Sequence, residues 1–443
     1  MEKGAKKHVD GVMAKWVGGY FVFVSVVLLF GGLTTAGAQD SNSLVKVLWQ
    51  KEFVPDPNLG YSLGGIALSK DGDGLLLIGT SFLKKSVKKS AKLSEYTNFK
   101  FWLWRITLDG QMSKNIILKD TTAEEPTPSM QRLYTYKIGA SEYIRGFTTG
   151  SDGNIYVLIR SDVSTLSILK ADIEGNNISV KPLAMEGEKF SWLYLYGIMA
   201  CPDNNFFIFG HEKNRPIVIK LDSELNRMWK RSIEGRRYEY FYRTLPIESK
   251  DGLIVSGVSE GSGSSSRDAC DGFVMLLDGD GNTLQKARFA ALPVSSHKGT
   301  PRMCRLDSGI IVVANDLSYY EQEPNIVITA YSPDLKLLWE KRMNKPLKPY
   351  TTFRMERISD NRFIIMTEYT GDWLRGGISR LDAAKTDNTF GLHIYDSNGT
   401  ESGSAAIDKG DFSPSRLYST KNLLYITSNI YGRRIEIMAL QID

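Results

Sequence analysis

One unit recurs along most of this chain. It is a short strand, a tight polar turn, an apolar strand, a loop, an apolar strand closing in Asp or a similar residue, a second tight turn, and a final strand. The unit is clearest from Trp192, where "WLYLYGIMA", "CPDNN", "FFIFGHE", "RPIVIKLD", "SELN" and "RMWKRSI" follow in order. The same order runs through "YFYRTLPIE…TLQKARF", "TPRMCRL…KLLWEKRM" and "TTFRMERI…TESGSAAI", and earlier from Tyr61 and from Tyr143. The runs have strand length and are bounded by Gly, Asn and Asp turn residues, and no helical period appears in the repeats. Repeats are the first thing a fold must satisfy. Four short strands every roughly 58 residues, with several expanded loops, predict an all-β propeller of four-stranded antiparallel blades.

The last copy is incomplete. "SPSRLYS", "LLYITSNI" and "RRIEIMALQID" supply three strands, and then the chain ends. A strand without a neighbour stands at the other end, "LVKVLWQKEF" at 44–53. It has the form of a fourth strand: an apolar residue and Trp before a basic end, as around Trp229 and Trp339. Pairing it beside "RRIEIMALQ" makes seven blades, closes the ring, and removes an exposed apolar edge.

Ahead of this strand lie Lys3, Lys6, Lys7 and Lys15, the apolar run "WVGGYFVFVSVVLLFGGL" and "TTAGAQD". That order is the form of a signal peptide cleaved near Ala38. An uncleaved anchor is the alternative, since about 17 apolar residues is near the lower limit for a span. The expectation is therefore a leader over 1–38, a single propeller domain over 39–443, and a secreted or periplasmic protein. No cysteine follows the apolar run, so no lipid attachment is expected. Three cysteines, Cys201, Cys270 and Cys304, allow at most one pair and no disulfide framework. The formal charge of +5, partly carried by the leader, argues against nucleic acid as partner.

In such a fold the turns inside each hairpin lie on one face and the longer connections on the other. The turns are short nearly everywhere. Length collects in 82–98, 119–142, 260–271 and 370–389, the last holding Trp373 and Arg375. Long loops on a rigid scaffold are where binding usually sits. Aligned by their turns, the innermost strands place Arg145, Arg243, Arg302, Arg354 and Arg416 at nearly one offset. The other two strands carry Gly64–Gly65 and Tyr196 there. Such guanidiniums would line a basic channel suited to carboxylate or phosphate. The plainer alternative is that each bridges to an acid on the next blade or covers aromatic surface with its stem. Lys84, Lys85, Lys88, Lys89 and Lys92 form a charge run, read as a solvated loop or as a contact with an anionic membrane surface.

Recognised chemistry is sparse. His211, His297 and His393 fall in different repeats without metal spacing. "DGDGN" (278–282) and "KDGDG" (70–74) lack the calcium-loop frame and sit where hairpin turns are needed. No nucleophile elbow appears. No cofactor, metal or catalytic residue is expected.

The repeated "LD…DGN…W.K" style resembles the bacterial exported seven-bladed β-propellers, quinoprotein-like and WD40-like in manner. The resemblance implies the fold and carries no particular activity. The expected function is an exported, non-enzymatic binding or scaffold protein. Its partner, a protein or an anionic small molecule or glycan, would bind at the long-loop face and channel mouth. The alternative is an extracytoplasmic enzyme, a hydrolase, lyase or quinone-dependent oxidoreductase, with a polar site in the channel.

Overall fold

A computed structural model describes residues 44–54, 56, 59–69, 72–83, 99–120, 144–160, 166–183, 193–212, 215–233, 239–246, 252–259, 270–291, 301–316, 326–343, 351–358, 361–369, 389–408, 412, 414–420, 422–430 and 434–443. They form twenty-eight strands in seven four-stranded antiparallel sheets. The leader, Lys84–Lys92, Trp373, Arg375 and His297 lie outside the described residues.

Blade 1 holds β2 (Leu59–Leu68), β3 (Gly74–Leu83), β4 (Phe99–Thr107) and β5 (Met112–Asp120). Blade 2 holds β6 (Ile144–Thr149), β7 (Ile155–Arg160), β8 (Leu166–Ala171) and β9 (Ser179–Pro182). Blade 3 holds β10 (Leu193–Ala200), β11 (Phe206–Glu212), β12 (Arg215–Leu221) and β13 (Arg227–Ser232). Blade 4 holds β14 (Glu239–Pro246), β15 (Gly252–Ser259), β16 (Cys270–Asp278) and β17 (Thr283–Ala291). Blade 5 holds β18 (Arg302–Arg305), β19 (Ile311–Asp316), β20 (Ile326–Tyr331) and β21 (Leu337–Arg342). Blade 6 holds β22 (Thr351–Ile358), β23 (Arg362–Tyr369), β24 (Thr389–Tyr395) and β25 (Glu401–Asp408).

Blade 7 is built from both ends of the propeller. β26 (Pro414–Thr420), β27 (Leu423–Ile430) and β28 (Arg434–Ile442) take β1 (Val45–Phe53) as their fourth strand, Val45 opposite Ile442 and Phe53 opposite Ile435. Three side-chain bonds secure the closing strand. Trp49 Nε1 donates to Leu108 O on blade 1 at 2.8 Å, and Lys51 Nζ to Asp109 O at 3.0 Å. Arg434 bridges Glu52 of β1 at 2.9 Å and Glu436 of β28 at 3.0 Å. The first strands adjoin in order, β2 to β6 and on to β26, which returns to β2.

Among the described residues there is no single central core. Alternate residues of every strand face opposite neighbours, so each seam between blades has its own apolar cluster. Leu76, Ile78 and Leu103 of blade 1 meet Ile155, Val157 and Leu169 of blade 2, for example, and the pattern repeats around the ring.

The turns between third and fourth strands share one design. Asp278 accepts from Asp280 N, Asn282 N and Asn282 Nδ2. Asp172, Asp222 and Asp396 cap their turns alike. "DGDGN" is thus a carboxylate-capped turn. The next-to-last residue of each turn is left-handed: Gly110, Gly175, Gly281 and Gly399, but also Leu225 (φ 64°) and Leu335 (φ 55°).

The preceding blade explains this choice. Three blades carry Trp at one place on the fourth strand, and each indole covers a glycine of the next turn: Trp229 over Gly281, Trp339 over Gly399, Trp49 over Gly110. A Cβ on these glycines would fall 2.7–3.0 Å from the ring. Where register puts Ser179 or Gln285 in the tryptophan's place, the next turn has Leu225 or Leu335, buried to 6% and 4% exposure. A left-handed leucine costs about 1–2 kcal/mol, which about 1.5–3 kcal/mol of side-chain burial offsets. Trp49 is therefore a blade-packing residue.

Candidate functional site

The hairpin-turn end of the blades is closed by bonds between neighbours. Arg105 of blade 1 reaches Glu174 of blade 2 at 3.1 Å. Lys181 reaches Asn226 at 2.6 Å, and Arg357 reaches Asp307 at 2.5 Å. Arg362 of blade 6 donates to the Asp443 carbonyl at 3.0 Å.

The opposite end differs in its interior. Most second strands have an apolar first half, and six of them carry buried polar residues further along. The runs from Leu75, Ile155, Phe206, Leu253, Ile311, Phe363 and Leu424 are buried and apolar over their first three residues. Buried polar groups then follow: Thr80 and Ser81, His211, Ser256, Asn315, Thr367 and Glu368, Thr427 and Ser428. Glu436 of β28, paired with Ser428 across the sheet, is also buried. Burial drives the His211 imidazole down to about 4, so its ring is neutral. His393 is a buried strand histidine, its Nδ1 3.2 Å from Glu401 Oε1. Among the described residues no cluster of His, Cys, Asp and Glu could hold a metal.

Backbone register decides which first-strand residues share a level. Counting from the first core residue of each second strand, one rung pairs Gly65 with Ile78, Gly146 with Leu158, and Gly197 with Phe209. On the next four blades the same rung pairs Arg243 with Ser256, Arg302 with Ala314, Arg354 with Met366, and Arg416 with Thr427. The ring at this level reads three glycines and then four arginines. It falls within the innermost strands, and on blade 5 at the first residue of β18.

The register shifts beside this rung on five blades, leaving Gly64, Arg145, Tyr196, Tyr242 and Ser415 as the unpaired residues. Arg145 and Tyr196 are thus bulge residues, one step off the rung their offsets suggested. Bulges re-aim side chains and gather beside functional sites. Arg416 is exposed and Arg302 and Arg354 are half-buried, while Met303, Cys304, Phe353 and Met355 beside them are buried. Arg354 Nη1 donates to the Phe353 carbonyl at 2.9 Å, which steadies its guanidinium. The polar ends of the second strands were present in the sequence as "GTS", "GHE", "AND", "TEY" and "TSN", a signal overlooked in favour of loop length.

No protein-family model and no curated protein matches the chain. Among solved structures, one similar chain is from Kuenenia stuttgartiensis hydrazine synthase, at 13% identity and TM-score 0.47, covering 88% of this chain and 100% of that one. The β-propeller domain of the trilobed protease from Pyrococcus furiosus matches at 11% identity and TM-score 0.45, covering 86% and 95%. A protein of unknown function from Bacteroides caccae matches at 12% identity and TM-score 0.35, covering 69% and 90%.

Proposed function

We propose that this chain is an exported, non-catalytic binding propeller that takes its ligand or protein partner at the long-connection end, into the channel mouth. The observation that supports it is the change of character along the second strands. An apolar side chain fills a seam between blades without needing hydrogen-bond partners, whereas a buried polar group must be supplied with them. Here Ser256, Asn315, Thr367, Glu368, Thr427 and Ser428 gather at the long-connection end, while the turn end buries Ser69 and Lys220. The turn end is bridged by bonds between neighbouring blades, and the polar end is the one we take as built to meet something else.

The test is a thermal-shift survey with anionic sugars, carboxylates and neutral sugars. Mass analysis of each ligand after incubation follows. A ligand that raises the melting temperature and is recovered intact supports the binding role. A ligand recovered as product overturns it in favour of an enzyme.

A further inference from the structure

We propose that the arginine rung is a one-sided receptor for a multiply charged anion bearing carboxylate or phosphate groups, held against blades 4 to 7. This rests on the binding role above and names its ligand class.

An innermost strand packs neighbouring blades on both faces and has a second strand at its back. Away from its two ends, such a strand meets solvent along the channel. Arg302 and Arg354 keep partial exposure beside buried Met303, Cys304, Phe353 and Met355, and Arg416 is exposed. Arg243 holds the same register position on blade 4.

The far side of the ring is built to carry no side chain. A Cβ on Gly146 would lie 2.7 Å from the Gly197 Cα, and one on Gly197 would lie 2.5 Å from the Phe209 ring. The second-strand partners follow the same division. Bulky Ile78, Leu158 and Phe209 stand behind the glycines, while Ser256, Ala314, Met366 and Thr427 stand behind the arginines. Seven equal cations would suit one ion on the axis. Four on one arc suit an elongated ligand, its charged groups along the arc and its uncharged body toward the glycine wall.

Guanidinium presents a planar fork matched to carboxylate and phosphate oxygens. A ligand with two or more negative groups can engage more than one such fork at once, which a single charge cannot. Ser256, fully buried and opposite Arg243, has a hydroxyl with no hydrogen-bond partner among the described residues.

The test is calorimetric titration of the whole chain with citrate, tripolyphosphate and acetate at constant ionic strength. Proteins compared are the wild type, Arg302→Gln, Arg354→Gln, Arg416→Gln and the control Lys336→Gln, an exposed residue of the turn end. Circular dichroism verifies folding of each. The expected result is binding of citrate or tripolyphosphate, with acetate at least about tenfold weaker. Each arginine variant should weaken binding about tenfold or more, with the control unchanged. Citrate alone assigns the carboxylate class, and tripolyphosphate alone the phosphate class. Binding that survives all three arginine variants overturns the proposal, as does no binding of either polyanion by the folded protein. A surveyed ligand that binds intact but ignores these variants removes the arginine receptor and leaves the binding role standing. Conversion of a ligand removes the binding role instead.

Discussion

Exchanging the blade 5–blade 6 junction for the blade 4–blade 5 pattern tests the packing rule directly. At the first junction Trp339 covers Gly399 and its Nε1 donates to the Ser397 carbonyl at 2.9 Å. At the second, Gln285 stands in the tryptophan's place and Leu335 in the glycine's. Trp339→Gln should cost about 2–3 kcal/mol, since a half-buried indole loses part of the 3–5 kcal/mol of a full aromatic truncation together with one hydrogen bond. Gly399→Leu adds a left-handed penalty of about 1–2 kcal/mol to an overpacking cost of about 1–3 kcal/mol, because its Cβ would sit 2.7 Å from the ring. In the double variant the ring that caused the clash is gone and the leucine fills its space. The double should therefore be more stable than the sum of the singles by about 1–3 kcal/mol. Urea unfolding followed by circular dichroism measures all four proteins. Additivity within about 0.5 kcal/mol would refute the reasoning.

Other expectations follow from the same contacts. A chain lacking residues 44–54 exposes the β28 edge and should aggregate or melt well below the intact protein; a soluble truncation with unchanged melting would contradict closure by β1. His211 is neutral in the fold, with its pKa lowered from 6.5 to about 4 by burial. The unfolded chain takes up a proton on falling from pH 6.5 to 4 that the native state refuses, so stability drops through that window by up to about 3 kcal/mol. His211→Gln should flatten that slope in pH-dependent denaturation, and an unchanged slope would assign it to other groups. Leu335→Gly relieves a strained φ but empties a buried site, so a net loss of about 1–2 kcal/mol is expected by thermal melting; a gain would show that strain outweighs burial. Ser256→Ala removes a buried hydroxyl without a partner among the described residues and should be neutral or stabilising by up to about 1 kcal/mol. A loss above that size would reveal a bond to the hydroxyl.

Much of the architecture was readable residue by residue. Strand period and Asp-Gly-Asn turn chemistry are local properties, so the runs around "FFIFGHE" and "DGDGN" announce hairpins without reference to the rest of the chain. Closure was a matter of counting: three strands after Ser413 and one unpaired strand at 44–53 complete a blade in a single way. The site was only half readable. Distance from a turn places Arg145 with the other arginines, but a bulge inserts a residue, and an offset counted along the chain cannot show where the partner strand absorbs it. Pairing put Gly146 on the rung and Arg145 beside it, and so turned five scattered arginines into an arc of four opposite three glycines. Trp339 and Gly399 likewise carry no mutual signal in the chain, because the contact that ties one to the other exists only once neighbouring blades stack.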